Sequence, residues 1–100
     1  MSLARVEAAP DGLALFGELD YRTGKALREE GGKLVKAGSG FVVVADCSGV
    51  AKASSVGVAL LLAFARDAKA CGKTLKVRAM PPDICQIADV SGVLELLEAE

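Results

Sequence analysis

Hydrophobic and polar residues follow two different periods along this chain. Short apolar or alternating segments typical of strands occupy residues 3–8, 13–16, 41–45 and 74–79. Segments with apolar residues three and four positions apart, typical of helices, occupy residues 21–37, 55–70 and 81–90, and residues 93–97 fit either a strand or a helix. The resulting order, β-β-α-β-α-β-α, predicts an α/β domain with a small mixed, largely parallel sheet of four to five strands.

The segments between these elements carry residues that favour turns and helix ends. Pro10, Asp11 and Gly12 predict a tight turn, so the first two strands should form an antiparallel hairpin. Asp20 is predicted to cap the start of the first helix, and Gly72 is predicted to end the second. These residues support the helix boundaries independently of the hydrophobic pattern.

Two adjacent glycines, Gly31 and Gly32, lie in the middle of the first predicted helix. Each glycine in a helix interior costs about 1 kcal/mol relative to alanine. Close packing of this helix against the sheet would account for them, and a break in the helix is the alternative.

The third predicted strand is an unbroken apolar run from Phe41 to Ala45, which is typical of a central strand covered on both faces. We expect it to end at Asp46 and to be followed by a loop over residues 47–53. Ligands of α/β proteins often bind at such strand ends. The preferred interpretation of Asp46 is nevertheless a carboxylate that accepts hydrogen bonds from backbone amides of the loop.

The second long helix is apolar on two sides. At 100° per residue, one face is expected to cover the sheet and consists of Val58, Leu61, Leu62 and Ala65. The opposite face consists of Val56, Leu60, Ala63 and Asp67. A surface helix is normally polar on that side, so either another element of this chain or a partner protein covers it. Since the other helices are already assigned, we expect a partner.

Ser54 and Ser55 stand where this helix begins. The backbone amides of a helix start are unpaired, and the helix dipole is positive there. A serine at this position is a natural cap, and it is also a position at which a phosphate group would be held well. The residues by themselves favour the capping role.

Composition narrows the range of functions. The 100 residues are 52% apolar and 25% charged, which fits one globular domain over residues 1–100. The net charge is −1, without a basic stripe interleaved with aromatic residues, so nucleic-acid binding has little support. No run of about 18 apolar residues predicts a membrane span, and the first residues lack the apolar region of a secretory signal.

The residues that enzymes and metal sites use are sparse. The chain has no histidine, and therefore lacks the usual general base near neutral pH. Cys47, Cys71 and Cys85 lack C-x-x-C spacing, so we expect buried or half-buried free thiols in a reducing compartment. Ser55 as a nucleophile would lack both an activating base and a G-x-S-x-G motif. We therefore expect no catalytic residue, no metal and no cofactor.

Four short segments resemble the STAS family, which is typified by anti-sigma factor antagonists. They are Gly-Glu-Leu-Asp at residues 17–20, Asp-Cys-Ser-Gly-Val at 46–50, Ser-Ser-Val-Gly at 54–57 and Ala-Asp-Val-Ser-Gly-Val at 88–93. They follow one another in the order and at the spacing of the family, and they are distributed over most of the chain, from residue 17 to residue 93. The resemblance implies a single STAS domain with the STAS fold and a non-enzymatic role in protein–protein interaction.

Within the family, the Gly-Val-Ala-Leu-Leu-Leu run at residues 57–62 resembles the MlaB branch. Members of that branch are STAS subunits of the Mla phospholipid-transport complex of Gram-negative bacteria, which moves phospholipid between the inner and outer membranes. The resemblance implies a cytoplasmic subunit that binds an MlaF-like ABC ATPase, and through it the inner-membrane permease. Such a subunit supports the assembly and activity of the complex without inserting into the membrane.

By the same motif, the expected partner-binding residues are Ser54, Ser55, Val56, Leu60, Ala63 and Asp67. Ser55 falls on the family's phosphorylatable or partner-contacting Ser/Thr. Ser54 falls on the family's Asp, and this departure favours constitutive docking over a phosphorylation switch. The alternative is an anti-sigma factor antagonist regulated by phosphorylation of Ser55, because a phosphate would add about −1.5 to −2 charges to the docking surface.

Overall fold

The strands and helices of the computed structural model, which describes residues 4–100, follow the predicted order. The strands are Arg5–Ala9 (β1), Gly12–Leu19 (β2), Val42–Ala53 (β3) and Thr74–Arg78 (β4). The helices are Gly24–Ala37 (α1), Ser55–Ala70 (α2) and Pro82–Val90 (α3), and a short 3₁₀ helix spans Leu94–Leu96. The α/β class is thus confirmed. Leu3, the start of the first predicted strand, lies outside the described residues.

The four strands form one sheet in the order β1-β2-β3-β4. β1 and β2 form the expected antiparallel hairpin, whereas β2, β3 and β4 run parallel to one another. At the outer edge of β4, Ala99 forms an isolated bridge with Val77, whose amide donates to the Glu98 carbonyl at 2.8 Å. The end of the chain therefore extends the sheet by a single bridge.

The largest difference from the prediction concerns β3. Residues 47–53, predicted as a loop, instead continue this strand and pair in parallel with β2 as far as Leu19 opposite Ala53. Two register shifts, each with one extra residue in β3, interrupt the ladder. Such bulges break the alternation of apolar and polar residues that marks a regular strand, which is why the hydrophobic pattern does not reveal this half of β3.

One apolar core lies between the helices and a single face of the sheet. Its fully buried large side chains come from β2, β3, β4 and all three helices: Leu13, Leu15, Leu19, Val35, Cys47, Leu61, Phe64, Val77 and Ile84. On the other face, Ala14, Asp46 and Arg78 are in register and partly exposed. The expectation that the third strand is covered on both faces is therefore wrong, although Val44 is itself buried.

α1 packs closely against α2 because it carries glycine at the contact. A Cβ atom at Gly31 would overlap the ring of Phe64, which is fully buried. Helix α1 runs unbroken through both of its central glycines. Close packing is thus the correct explanation of the two, but the close neighbour of Gly31 is α2 rather than the sheet.

Candidate functional site

The start of α2 is held against the end of the sheet by a capping serine. The Ser54 amide donates to the Leu19 carbonyl at the end of β2, at 3.0 Å. Its hydroxyl donates to the same carbonyl at 3.2 Å and accepts from the Val56 amide at 3.1 Å. Ser54 is therefore the N-cap of α2, as predicted. These bonds fix the first turn of the helix relative to β2.

Ser55 is the first residue of α2, and it is exposed. Because Ser54 uses its hydroxyl group for the cap, Ser55 is the serine whose side chain faces solvent at the positive end of the helix dipole. The close fit of Gly57, where a Cβ would lie 3.1 Å from the Ala53 Cβ, holds the following turn on the sheet. Ser55 thus occupies an accessible position on a rigid base.

The prediction that Leu60 lies on a free face of α2 is wrong. Only 4% of its surface is exposed, because α1 packs along this side of the helix. Val56 and Ala63, predicted for the same face, are half-buried, and Ala59 beside them is exposed. The face is therefore partly covered by another element of this chain, and its exposed strip is centred on Ala59 rather than on Leu60.

A groove of about 450 Å³ remains open between the N-terminal halves of the two helices. On the α2 side it is lined by Val56, Ala59, Leu60 and Ala63, and on the α1 side by Tyr21, Gly24, Lys25 and Arg28. Tyr21 stands at its edge with 85% of its surface exposed. Tyr21, Lys25 and Ala59 were missed by the sequence analysis, because only the packing of α1 on α2 places them beside the predicted residues.

The segment that leads into α1 is a turn rather than the first turn of the helix. α1 begins at Gly24 instead of the predicted residue 21, and the N-cap position belongs to Thr23. Asp20 does not cap the helix, because its carboxylate accepts from the Arg22 amide at 3.0 Å and from the Arg22 guanidinium at 2.6 Å. The bonds from Arg22, first from its side chain, lower the pKa of Asp20. This turn leaves Tyr21 exposed at the end of the groove.

Asp67, the last of the predicted partner-binding residues, joins the two helices. Its carboxylate pairs with the Arg28 guanidinium at 2.6 Å, and its side chain is only 14% exposed. Gly32 lies beside this pair, since a Cβ there would be 3.0 Å from the guanidinium and 3.1 Å from the carboxylate. The pair closes one end of the groove.

Asp46 lies inside β3 instead of at its end. Its carboxylate accepts from the Ser48 amide at 2.9 Å, and this bond lowers the pKa of Asp46. The preferred interpretation of a carboxylate that bonds an amide two residues on is confirmed, but the amide belongs to a bulged strand. Arg78, which lies 4.0 Å from Asp46, also pairs with Asp11 and Glu100. These ion pairs tie the tail to the exposed face of the sheet.

The cysteines differ in their environments. Cys47 is buried in the core, and burial raises the pKa of its thiol to about 12. Cys71 and Cys85 are exposed, which contradicts the expectation of buried or half-buried thiols. In residues 4–100, no group of three or more histidine, cysteine or acidic side chains is placed to hold a metal ion. No helix in the same part of the chain combines the length and apolar character needed to cross a membrane.

Comparison with known families places this site in context. A family model described as "Mlab, STAS domain" matches residues 3–98. The chain belongs to the STAS domain family. A search of curated proteins finds no match.

Solved structures share the fold of this STAS domain. The anti-sigma factor antagonist SpoIIAA in its unphosphorylated form is similar with a TM-score of 0.71 and 18% identity, over 98% of this chain and 88% of that chain. The phosphorylated form of SpoIIAA, a Bacillus cell fate determinant, gives 0.66 and 19%, over 98% and 91%. An anti-sigma factor antagonist from Mycobacterium paratuberculosis gives 0.69 and 26%, over 97% and 83%.

Two of the four segments that resemble the STAS family meet at the start of α2. The segment at residues 17–20 ends β2, and the segment at 54–57 begins α2, where Ser54 bonds Leu19. The segment at 46–50 lies within β3, and the segment at 88–93 covers the end of α3 and the turn after it. The fold thus joins the Gly-Glu-Leu-Asp turn to the serine pair.

Proposed function

We propose that this STAS domain is a non-enzymatic subunit that docks on the ABC ATPase of an Mla-type phospholipid-transport complex. In this role it supports the assembly and activity of the complex, and it reaches the inner-membrane permease through the ATPase. The family model that matches residues 3–98 carries the Mlab description, which supports this role among those of STAS domains. Docking would place the domain on the cytoplasmic side of the inner membrane, without a cofactor.

The observation that carries this proposal is an exposed serine beside an open apolar groove. Ser55 and Ala59 are exposed on one strip of α2, and Val56 and Ala63 form half-buried apolar surface next to them. An apolar centre with a polar rim is the usual composition of a protein–protein interface. Because a helix and its cap form the surface, binding requires little ordering of loops, which lowers the entropic cost of association.

The predicted partner-binding residues take different parts in this surface. Ser55, Val56 and Ala63 are accessible for direct contact. Ser54 and Asp67 contribute indirectly. Ser54 fixes the start of α2, and Asp67 joins α2 to α1 through its ion pair with Arg28. Leu60 forms the floor of the groove and contributes through its shape.

The test is binding to the Mla-type ATPase of the source organism, with matched glutamate substitutions on one helix. Ala59 and Ala70 are both exposed on α2, near its start and at its last residue. Ala59→Glu should weaken binding at least about tenfold, because it places an unpaired charge in an apolar interface. Ala70→Glu should bind as wild type, and circular dichroism checks that both variants fold. Equal affinity of the two variants would refute docking through the groove.

A second candidate function is an anti-sigma factor antagonist that is switched by phosphorylation. Its support is the similarity in fold to SpoIIAA, which has been solved in unphosphorylated and phosphorylated forms, and the exposure of Ser55. A phosphate on Ser55 would add negative charge at the groove and eject a partner. Mass spectrometry of protein from the source organism tests this candidate function. The absence of phosphorylated Ser55 under all growth conditions would eliminate it.

A further inference from the structure

The groove between α1 and α2 carries a charge opposite in sign to that of the whole chain. Lys25 and Arg28 belong to its lining, and none of the acidic residues described between 4 and 100 does. Asp67, which lies just behind the lining, is paired with Arg28. One positive charge, that of Lys25, therefore remains at the groove of a chain whose net charge is −1.

A second cation extends this positive surface along α2. Arg66 follows Ala59 by seven residues, which is about 20° short of two full turns, so the two residues lie on one row of the helix. Arg66 is exposed. Within residues 4–100, neither Lys25 nor Arg66 takes part in an ion pair. Two cations without an ion pair therefore border the apolar strip. Lys25 belongs to the α1 wall of the groove, and Arg66 lies on α2, three residues beyond Ala63 and outside the lining.

The dimensions and walls of the groove favour a helix as its occupant. The apolar residues of α2 from Val56 to Ala63 span seven residue rises, about 10 Å or two turns. Beyond their first turns, both walls are helices whose backbone groups are bonded within the helix, so an extended segment would find few partners for its own amides and carbonyls. A helix satisfies its own backbone and presents apolar side chains at three- and four-residue spacing to such a groove.

We propose that the groove binds an amphipathic helix of the ATPase, about two turns long, whose apolar face is flanked by acidic residues that meet Lys25 and Arg66. This inference rests on the proposed function, because it takes the ATPase as the source of the helix. Charge complementarity of this kind selects the partner and the orientation of docking more than it adds affinity. The polar rim at Tyr21 and Ser55 completes the site.

The test measures the affinity of the full chain for the purified ATPase by titration calorimetry at several salt concentrations. Lys25→Glu and Arg66→Glu should each weaken binding about tenfold, and the double variant should lose most of the salt dependence. Lys33→Glu is the matched control, because it makes the same charge change on an exposed position of α1, about 12 Å further along the helix. A Glu→Lys or Asp→Lys change in one surface helix of the ATPase should restore binding to Lys25→Glu.

The outcomes separate this inference from the proposed function. If the wild-type chain binds, Ala59→Glu does not, and the two charge reversals leave affinity and salt dependence unchanged, the docking surface stands and the acidic helix is refuted. If the wild-type chain does not bind the ATPase, the proposed function fails and the inference fails with it. Thermal unfolding of each variant distinguishes a lost contact from a lost fold.

Discussion

The contact between α1 and α2 has two halves that differ in packing. One half is closed and tightly packed, and the other is an open groove. In the closed half, Gly31 brings α1 against the ring of Phe64, which is fully buried. In the open half, the turn that Asp20 and Arg22 form precedes the start of α1. The groove between Lys25 and Ala59 remains accessible there. The Arg28–Asp67 pair lies at the boundary between the halves.

The difference shows how a single helix can contribute both to a stable core and to an accessible apolar groove. In the closed half, a missing side chain on α1 leaves space for a large ring on α2. In the open half, α2 presents small side chains such as Ala59 and Ala63, and the lining contributed by α1 contains no large apolar residue to cover them. Under the proposed function, stability and docking depend on different sides of α2, and mutations in the two halves should separate them.

The largest effect is expected from Phe64→Ala in the closed half. Removing a fully buried ring leaves a cavity, and the stability of the domain should fall by about 4 kcal/mol. Val56→Ala, in the open half, should cost about 1 kcal/mol or less, because Val56 is half-buried. Urea unfolding measures both. Similar losses for the two variants would show that the halves do not differ in packing.

Gly31→Ala should come next, with a loss of about 2 kcal/mol. The added methyl group would overlap the Phe64 ring, and this strain exceeds the gain of about 1 kcal/mol in helix propensity. At Gly32 the nearest atoms are the ends of the Arg28 and Asp67 side chains, which can shift. Gly32→Ala should therefore be neutral or stabilising in the same urea experiment.

A double-mutant cycle assigns the cost of Gly31→Ala to the ring. In a Phe64→Leu background, the added methyl group has more space, so Gly31→Ala should cost at least about 1 kcal/mol less than in the wild type. An unchanged cost would place the strain in the backbone of α1 and not in its contact with α2.

The two serines at the start of α2 should have different roles. Ser54 should contribute to stability, and Ser55 should contribute to binding. Ser54→Ala removes the cap of α2 and its bond to Leu19, and should cost about 1 kcal/mol of stability. Ser55→Ala alters an exposed side chain and should change stability by less than about 0.5 kcal/mol. Ser55→Arg, by contrast, should weaken binding to the ATPase, with Ser39→Arg as a control at an exposed position. A stability loss in Ser55→Ala equal to that in Ser54→Ala would disprove the division of roles.

The smallest effect is expected at the boundary between the halves. The Arg28 side chain is 44% exposed, so its pair with Asp67 is screened by solvent even though the Asp67 side chain is only 14% exposed. A double-mutant cycle with Arg28→Ala and Asp67→Ala should give a coupling energy of about 0.5 to 1 kcal/mol that falls as salt is added. A coupling energy that does not respond to salt would indicate that the two halves share a buried network.

Local rules were sufficient for most of the secondary structure. The 3.6-residue pattern, the Ser54 cap and the glycine after the last turn predicted α2 from Ser55 to Ala70, as observed. The proline pair likewise predicted α3. Failure occurred where a residue bonds a distant strand or turn, as along residues 47–53, whose hydrogen bonds to β2 outweigh their irregular pattern. The Asp20 prediction failed for a different, local reason, because its carboxylate bonds Arg22, two residues on, in a turn that precedes the helix.

The sequence by itself determined the order of elements, the capped start of α2 and the absence of histidine. These features depend on residues within a few positions of each other or on composition alone. Only the tertiary structure decided that Leu60 is covered and that Tyr21, Lys25 and Ala59 line one groove. The exposure of a helix face depends on how closely its neighbour approaches. Here that distance is set by a contact between Gly31 and Phe64, which are far apart in the chain.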